Sequence, residues 1–172
     1  DAADHWAVMH KGIASDYETD FINLNQTAAA ADTANYWNDT EPTNSLFTLG
    51  NQSVTNSSSK AYIAYCFHSV DGYSKVGSYT GNGSTTGTTV SGLDFTPKFI
   101  MIKRSDSTGN WIMLDDVRDT SNPRNAYLMA NSSASEATGK DVDFNSGSFQ
   151  IKTTDSDVNA SGGTYIYLAI AG

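Results

Sequence analysis

The chain has 172 residues, of which 38% are hydrophobic, 11% aromatic and only 17% charged. This length fits one domain or two small domains packed together. The low charged fraction, with Ser, Thr, Asn and Gly filling the gap, is typical of a turn-rich β protein rather than a helical one. The net charge of −9 at pH 7 argues against nucleic acid as a partner, because phosphates would be repelled. No apolar run is as long as a membrane span, so membrane insertion is not expected.

The alternation of apolar residues and the spacing of glycines predict a series of short strands. The one helix candidate is the Ala-rich stretch at residues 27–35, which is long enough for little more than a turn. Residues 69–94 predict a connecting hairpin that closes near Gly81-Asn82-Gly83. The predicted strands, in chain order, are residues 5–10, 20–25, 46–49, 61–68, 74–79, 88–92, 98–104, 110–115, 126–130, 142–144, 148–153 and 164–171.

Four blocks of sequence recur in the same order in both halves of the chain. The blocks pair Trp6 with Trp111, residues 21–28 with 127–134, residues 46–49 with 148–151, and residues 56–65 with 159–168. The numbering differs by 105, 106, 102 and 103 residues in these blocks, and small loop insertions account for the drift. We therefore predict an all-β, antiparallel, jelly-roll-like β-sandwich. Its two diverged repeats, residues 1–68 and 95–172, are expected to pack together.

The second repeat begins with a strand, residues 98–104, that the first repeat lacks. Its counterpart would precede Asp1, and the chain begins without Met, so we expect a longer parent chain. The alternative is that another chain supplies the strand by strand complementation. Either way, an unpaired strand edge is expected beside Trp6.

Several of these segments also carry a family resemblance. They are residues 62–67, 72–83, 95–103, 110–111 and 159–169, of which 72–83 is the most specific. They resemble a β-sandwich domain found in virion proteins of tailed phages, particularly marine and cyanobacterial phages. The resemblance implies a structural setting, often in tail-fibre or other large structural proteins and sometimes beside lectin-like modules, and it implies no catalytic residues. The chain departs from the pattern at residues 170–172 and in lacking the first strand.

From the resemblance we predict a virion structural module, such as a tail fibre, spike or capsid-decorating appendage, located in the virion or outside the cell. Its expected partners are other virion subunits in a homo-oligomer, with host-surface glycan as a second target. The alternative is a carbohydrate-binding, lectin-like module. A glycan-cleaving enzyme is a distant third reading, since it would need two of Asp115, Asp116 and Asp119 to face each other across a cleft. We do not expect an enzyme.

Two aromatic residues in a polar loop, Tyr36 and Trp37, are the best candidates for an exposed contact with a sugar or a neighbouring subunit. Trp6 and Trp111 each start a strand, so core packing is the favoured interpretation for them. Cys66, the single cysteine, excludes an internal disulfide and lies in a strand-like run where a small buried core residue is expected.

One polar run has the D-x-D-x-N form of a calcium loop: Asp155, Asp157 and Asn159. It lacks the Gly and the distal Glu of an EF-hand, so polar turn residues are the favoured reading and a surface Ca²⁺ site is the alternative. The three histidines, His5, His10 and His68, have no metal-ligand spacing, and no other cofactor is expected.

Overall fold

The computed structural model describes residues 4–172 and is almost entirely β, with three single-turn helices. Residues 1–3, the start of the predicted first repeat, lie outside the described part of the chain. No helix within residues 4–172 is long and apolar enough to cross a membrane. The elements are β1 (Ala7–Val8), β2 (Asp20–Asn23), β3 (Ala31–Asp32), α1 (Ala34–Trp37), α2 (Ser53–Asn56), β4 (Ser74–Thr80), β5 (Thr88–Ser91), β6 (Phe99–Arg104), β7 (Trp111–Asp115), β8 (Leu128–Met129), β9 (Val142–Asn145), β10 (Ser148–Ile151), α3 (Ser156–Asn159) and β11 (Thr164–Ile170).

The strands form three antiparallel sheets that pack as layers, which confirms the predicted all-β sandwich. The first sheet has the order β1-β2-β3, the second β5-β10-β9, and the third β4-β11-β6-β7-β8. The five-stranded sheet is the middle layer. One of its faces packs on the second sheet and forms the main core, and the other face packs on the first sheet.

The main core follows from strict alternation along the central strands. On β6, Ile100 and Ile102 point into it and are 0% exposed, and Tyr165 on β11 is also 0% exposed. They meet Phe149 and Ile151 from β10 across the layer. Burying each such side chain contributes about 1.5–3 kcal/mol, so this layer contact supplies most of the fold's apolar stabilisation.

A second, smaller core joins the two repeats. It is built on Ile22 from β2, Trp111 from β7 and Ile166 from β11, each 5% exposed or less. The Trp111 ring also donates a hydrogen bond from Nε1 to the backbone oxygen of Asn23 at 2.9 Å. The first repeat therefore packs directly on the outer face of the middle sheet.

The repeats also share local hydrogen bonds. β1 pairs with β2 in the same relative register in which β7 pairs with β8. In the first repeat the Asn25 side chain accepts the backbone N–H of Trp6 at 3.0 Å, and in the second the Asn131 side chain accepts that of Trp111 at 2.8 Å. This internal symmetry is what the sequence blocks predicted.

Two predicted strands are wrong. Residues 46–49 and residues 61–68 form no strand. The counterpart of residues 46–49 is β10, which pairs with β9 in the second repeat. The residues in the place of β9 include Pro42 and Asp39, and Asp39 has a φ of 44°. Such residues cannot continue a strand ladder, so residues 46–49 have no partner.

The connection between the repeats is also not the predicted hairpin. β4 pairs with β11 and β5 pairs with β10, so the two strands belong to different sheets. The chain crosses between the layers after Gly81, where Asn159 accepts the backbone N–H of Asn82 at 2.9 Å. The predicted helix at residues 27–35 reduces to the single turn α1, which begins after the N-cap Thr33.

A lysine lies inside the protein at the boundary between the repeats. Lys103 on β6 is 0% exposed, and its Nζ donates to the backbone oxygens of Thr27 at 3.2 Å and Arg104 at 2.7 Å. Burial lowers the pKa of Lys103 to about 8, although the nearby Asp157 carboxylate acts to raise it. Lys103 therefore loses its proton at a lower pH in the folded protein than in the unfolded chain.

We expect the free energy of unfolding to rise between about pH 8 and pH 10, because over this range the unfolded chain holds the Lys103 proton and the folded protein does not. Above this window the sign reverses, since burial raises the pKa of Tyr165 and of Tyr167 in the folded protein. Urea denaturation at about pH 7.5 and 9.5 measures the rise. The variant Lys103→Met cannot titrate there, and an equal rise in that variant would contradict this assignment.

Candidate functional site

Exposed large apolar side chains among the described residues are concentrated in the unpaired segment, which we define as residues 61–68. Every residue from 58 to 73 is exposed. Tyr62 is 48% exposed, Ile63 66%, Tyr65 66% and Phe67 61%. Isolated exposed apolar side chains are ordinary, but a contiguous apolar run marks a surface that another molecule covers.

The second repeat shows how the corresponding segment packs when strands pair with both of its edges. The counterpart of the unpaired segment is β11, which lies between β4 and β6 in the middle sheet. Ile63 is 66% exposed, whereas its counterpart Ile166 is 1% exposed; Tyr62 is 48% exposed, whereas Tyr165 is 0% exposed. The residue types match, so the difference in burial comes from the surroundings: Ile166 packs in the core between the repeats and Tyr165 in the main core.

The turn that precedes the unpaired segment has the same hydrogen bonds as the turn that precedes β11. The Tyr62 hydroxyl donates to the backbone oxygen of Ser53 at 2.8 Å and accepts the N–H of Ser57 at 2.7 Å. Tyr165 makes the same two bonds, at the same two lengths, with the corresponding residues at α3. The first repeat therefore presents its last segment in the way that the second repeat presents a central strand.

A second open edge lies next to the segment. β1 is the outer strand of its sheet, whereas its counterpart β7 has β6 on its other side. Within residues 4–172 no strand pairs with the free edge of β1 or with the unpaired segment. The rings of Trp6 and Tyr65 stack with their centroids 6.5 Å apart, so the two edges are close together.

The same missing neighbours explain two wrong predictions. Trp111 is 5% exposed, as expected for a core residue, but Trp6 is 51% exposed. Cys66 was expected in the core and is exposed, whereas its counterpart Ala169 is 0% exposed. Both residues have the sequence context of a core position, but they lack the facing layer that covers Trp111 and Ala169 in the second repeat.

The predicted contact pair, Tyr36 and Trp37, is not exposed. The two side chains are 4% and 7% exposed. The Tyr36 ring stacks on Phe21 at 3.9 Å, and Trp37 Nε1 donates to the backbone oxygen of Asp20 at 2.8 Å. The expectation of an exposed pair is therefore wrong, because these rings anchor the polar loop to β2.

The three residues of the calcium-like pattern are held in separate structural hydrogen bonds. Asp155 caps α3 by accepting the N–H of Asp157, and Lys140 forms ion pairs with both carboxylates. Although burial acts to raise it, hydrogen bonds from Asn110 and Lys140 hold the pKa of Asp157 below its usual value. Asn159 lies apart in the core at 0% exposure. Within residues 4–172 no group of three or more acidic, His or Cys side chains could hold a metal ion.

The three carboxylates considered for glycan cleavage are also in structural contacts. Asp115 binds Arg118, and Asp116 binds Lys98 at 2.6 Å. Although burial acts to raise it, hydrogen bonds from Arg118 hold the pKa of Asp115 below its usual value, and a backbone hydrogen bond from Asn125 lowers the pKa of Asp119. A general acid for glycoside cleavage needs the opposite shift.

The fold is an all-β module of two repeats, in which residues 61–68 and one edge of β1 have no strand partner within residues 4–172. A family model described as "Domain of unknown function (DUF7483)" matches residues 1–172, and the chain belongs to this family. No curated protein and no solved structure matches the chain in the comparisons made.

Proposed function

We propose that this domain is a structural module of a phage virion, such as a tail fibre, spike or capsid-decorating appendage, and that it assembles with other subunits. The virion setting is supported by the sequence resemblance described above. The assembly role is supported by one observation above all, the continuous exposed apolar run of the unpaired segment. Adhesion to a host surface is a second role of the same module.

The rest of the molecule suits a structural part of an assembly. Several buried or half-buried polar side chains, such as Asp157, Lys140 and Asn159, are engaged in hydrogen bonds and ion pairs within the domain. A net charge of −9 keeps such a part soluble before assembly. The burial of Tyr36 and Trp37 takes away the residues on which the lectin-like alternative was based.

We expect the domain to self-associate or to bind a neighbouring virion subunit through the unpaired segment. Ile63→Asp places a charge in the middle of this surface and should weaken association at least tenfold, since burying an unpaired charge is costly. Sedimentation velocity over a range of concentrations measures the change.

The matched control is Val117→Asp, because Val117 is 83% exposed and lies outside the segment. It carries the same charge change and should associate as the unmodified chain does. Equal weakening in both variants would contradict the assignment of this surface. Immunogold labelling of purified particles tests the virion setting, and unlabelled particles would overturn it. Glycan-array binding without any association would favour the lectin-like module instead.

A further inference from the structure

We propose that the first repeat is a strand acceptor: a β6-like strand, donated by a neighbouring subunit, inserts between β1 and the unpaired segment. This inference deepens the proposed assembly role and rests on it. It commits to a partner of one chemistry, an extended apolar strand that runs antiparallel to both edges.

The second repeat supplies the template for this position. There β6 lies between β11 and β7 and pairs antiparallel with both. The first repeat holds the counterparts of the two flanking strands, the unpaired segment and β1, with the register of β1 and β2 preserved. A strand in this position would therefore meet backbone groups on both sides that are open in the structure.

The chemistry of the donated strand follows from β6 itself. Ile100 and Ile102 face the main core at 0% exposure, and Met101 on the opposite face packs on the core between the repeats. The acceptor position is flanked by Trp6, Tyr65 and the rest of the exposed apolar run, so it requires a strand with apolar side chains of this kind. A charged or glycine-rich strand would leave these side chains uncovered.

No strand within residues 4–172 is free to fill this position, so we assign the donor to a neighbouring subunit, and a strand from elsewhere in a longer chain is the alternative source. β6 is the one strand with this pattern, and both of its edges are already paired within its own sheet. β4 and β8 are the outer strands of that sheet, and neither carries the Phe-Ile-Met-Ile sequence of β6. Pairing between two unpaired segments is the competing arrangement, and the experiment below separates the two.

Cys66 is a built-in reporter for occupancy. It is the single cysteine of the chain and is exposed, whereas its counterpart Ala169 on the paired strand is 0% exposed. In the second repeat Ala169 lies directly opposite Ile100 of β6, so a donated strand should place an Ile side chain beside Cys66 and slow its alkylation.

The main test is a self-complemented chain in which a copy of residues 98–109 replaces residues 1–4 directly before His5. This places a β6 copy and its turn in front of Trp6, as β6 precedes Trp111. We expect alkylation of Cys66 to slow by at least roughly tenfold relative to the unmodified monomer, and binding of a separate peptide of residues 98–104 to be lost. The matched control carries the same copy with Asp in place of both Ile residues, and it should react as the unmodified chain does.

The outcomes separate this inference from the assembly role. Association of the unmodified chain that persists in the self-complemented chain, with Cys66 still reactive, overturns strand acceptance and leaves the assembly role standing. Protection of Cys66 in the self-complemented chain supports strand acceptance even where the unmodified chain binds no subunit, which would overturn the assembly role alone.

A second test adds the strand as a separate peptide, so that the protein itself is not changed. A peptide of residues 98–104, added to the unmodified chain at concentrations where it is monomeric, should slow alkylation of Cys66 in a saturable manner. The same peptide with Asp at both Ile positions should not. Equal protection by the two peptides, or by neither, overturns the inference.

Discussion

Replacing Asn159 by alanine should destabilise the fold by about 3–5 kcal/mol, because it would leave several buried polar groups without partners. Asn159 is 0% exposed. Its Oδ1 accepts from the Asn82 backbone at 2.9 Å and from Thr88 at 3.0 Å, and its Nδ2 donates to the Thr153 oxygen at 2.8 Å. One amide thus joins α3 to the crossing between the two sheets of the main core. Chemical denaturation followed by tryptophan fluorescence measures the loss.

The first repeat provides the control for this variant. Asn56 is the counterpart of Asn159, and its Nδ2 makes the corresponding bond, to the Gly50 oxygen at 2.7 Å. It is exposed and no crossing segment packs on it, so Asn56→Ala should cost about 1 kcal/mol or less. Equal losses in the two variants would show that the local turn, and not the bridge between sheets, carries the effect.

The sequence predicted the parts of the fold that depend on local pattern. The recurrence of Trp6 as Trp111 and of Asn25 as Asn131 reappears as the same strand register and the same side-chain hydrogen bond. The apolar pattern predicted strands at residues 98–104 and 164–171, where β6 and β11 lie. These features survive in a sequence because each is set by residues that are close together in the chain.

What the sequence could not predict depends on distant partners. The segment at residues 61–68 has the pattern of a central strand, but a strand also needs neighbours, and the pattern says nothing of whether they are present. The same holds for two buried lysines. Lys103 donates to the backbone oxygen of Thr27 and Lys140 to the carboxylate of Asp157, and both acceptors are distant in the sequence. Tyr36 and Trp37 look like loop residues because their anchor, β2, is separated from them by a turn and β3.

Phe149→Ala should be the other severe change, with a loss of about 3–5 kcal/mol, since it removes a large side chain from the centre of the main core. Phe149 on β10 is 0% exposed. Its ring meets Tyr167 edge-on with centroids 5.2 Å apart and Tyr79 at 6.1 Å, so the cavity would open between the two layers of the sandwich. Thermal and urea denaturation should both show the loss, and retention of near-native stability would contradict the layer packing.

Phe47 is the repeat counterpart of Phe149 and provides the sharpest comparison in the chain. It is 42% exposed on residues 46–49, which have no strand partner, so Phe47→Ala should cost less than about 1 kcal/mol. Because residue type and substitution are the same, the difference between the two losses measures what the paired strands contribute to burial. A loss at Phe47 as large as that at Phe149 would mean that the first repeat buries this ring in solution. The two repeats would then be more alike in the burial of this ring than their strand pairing indicates.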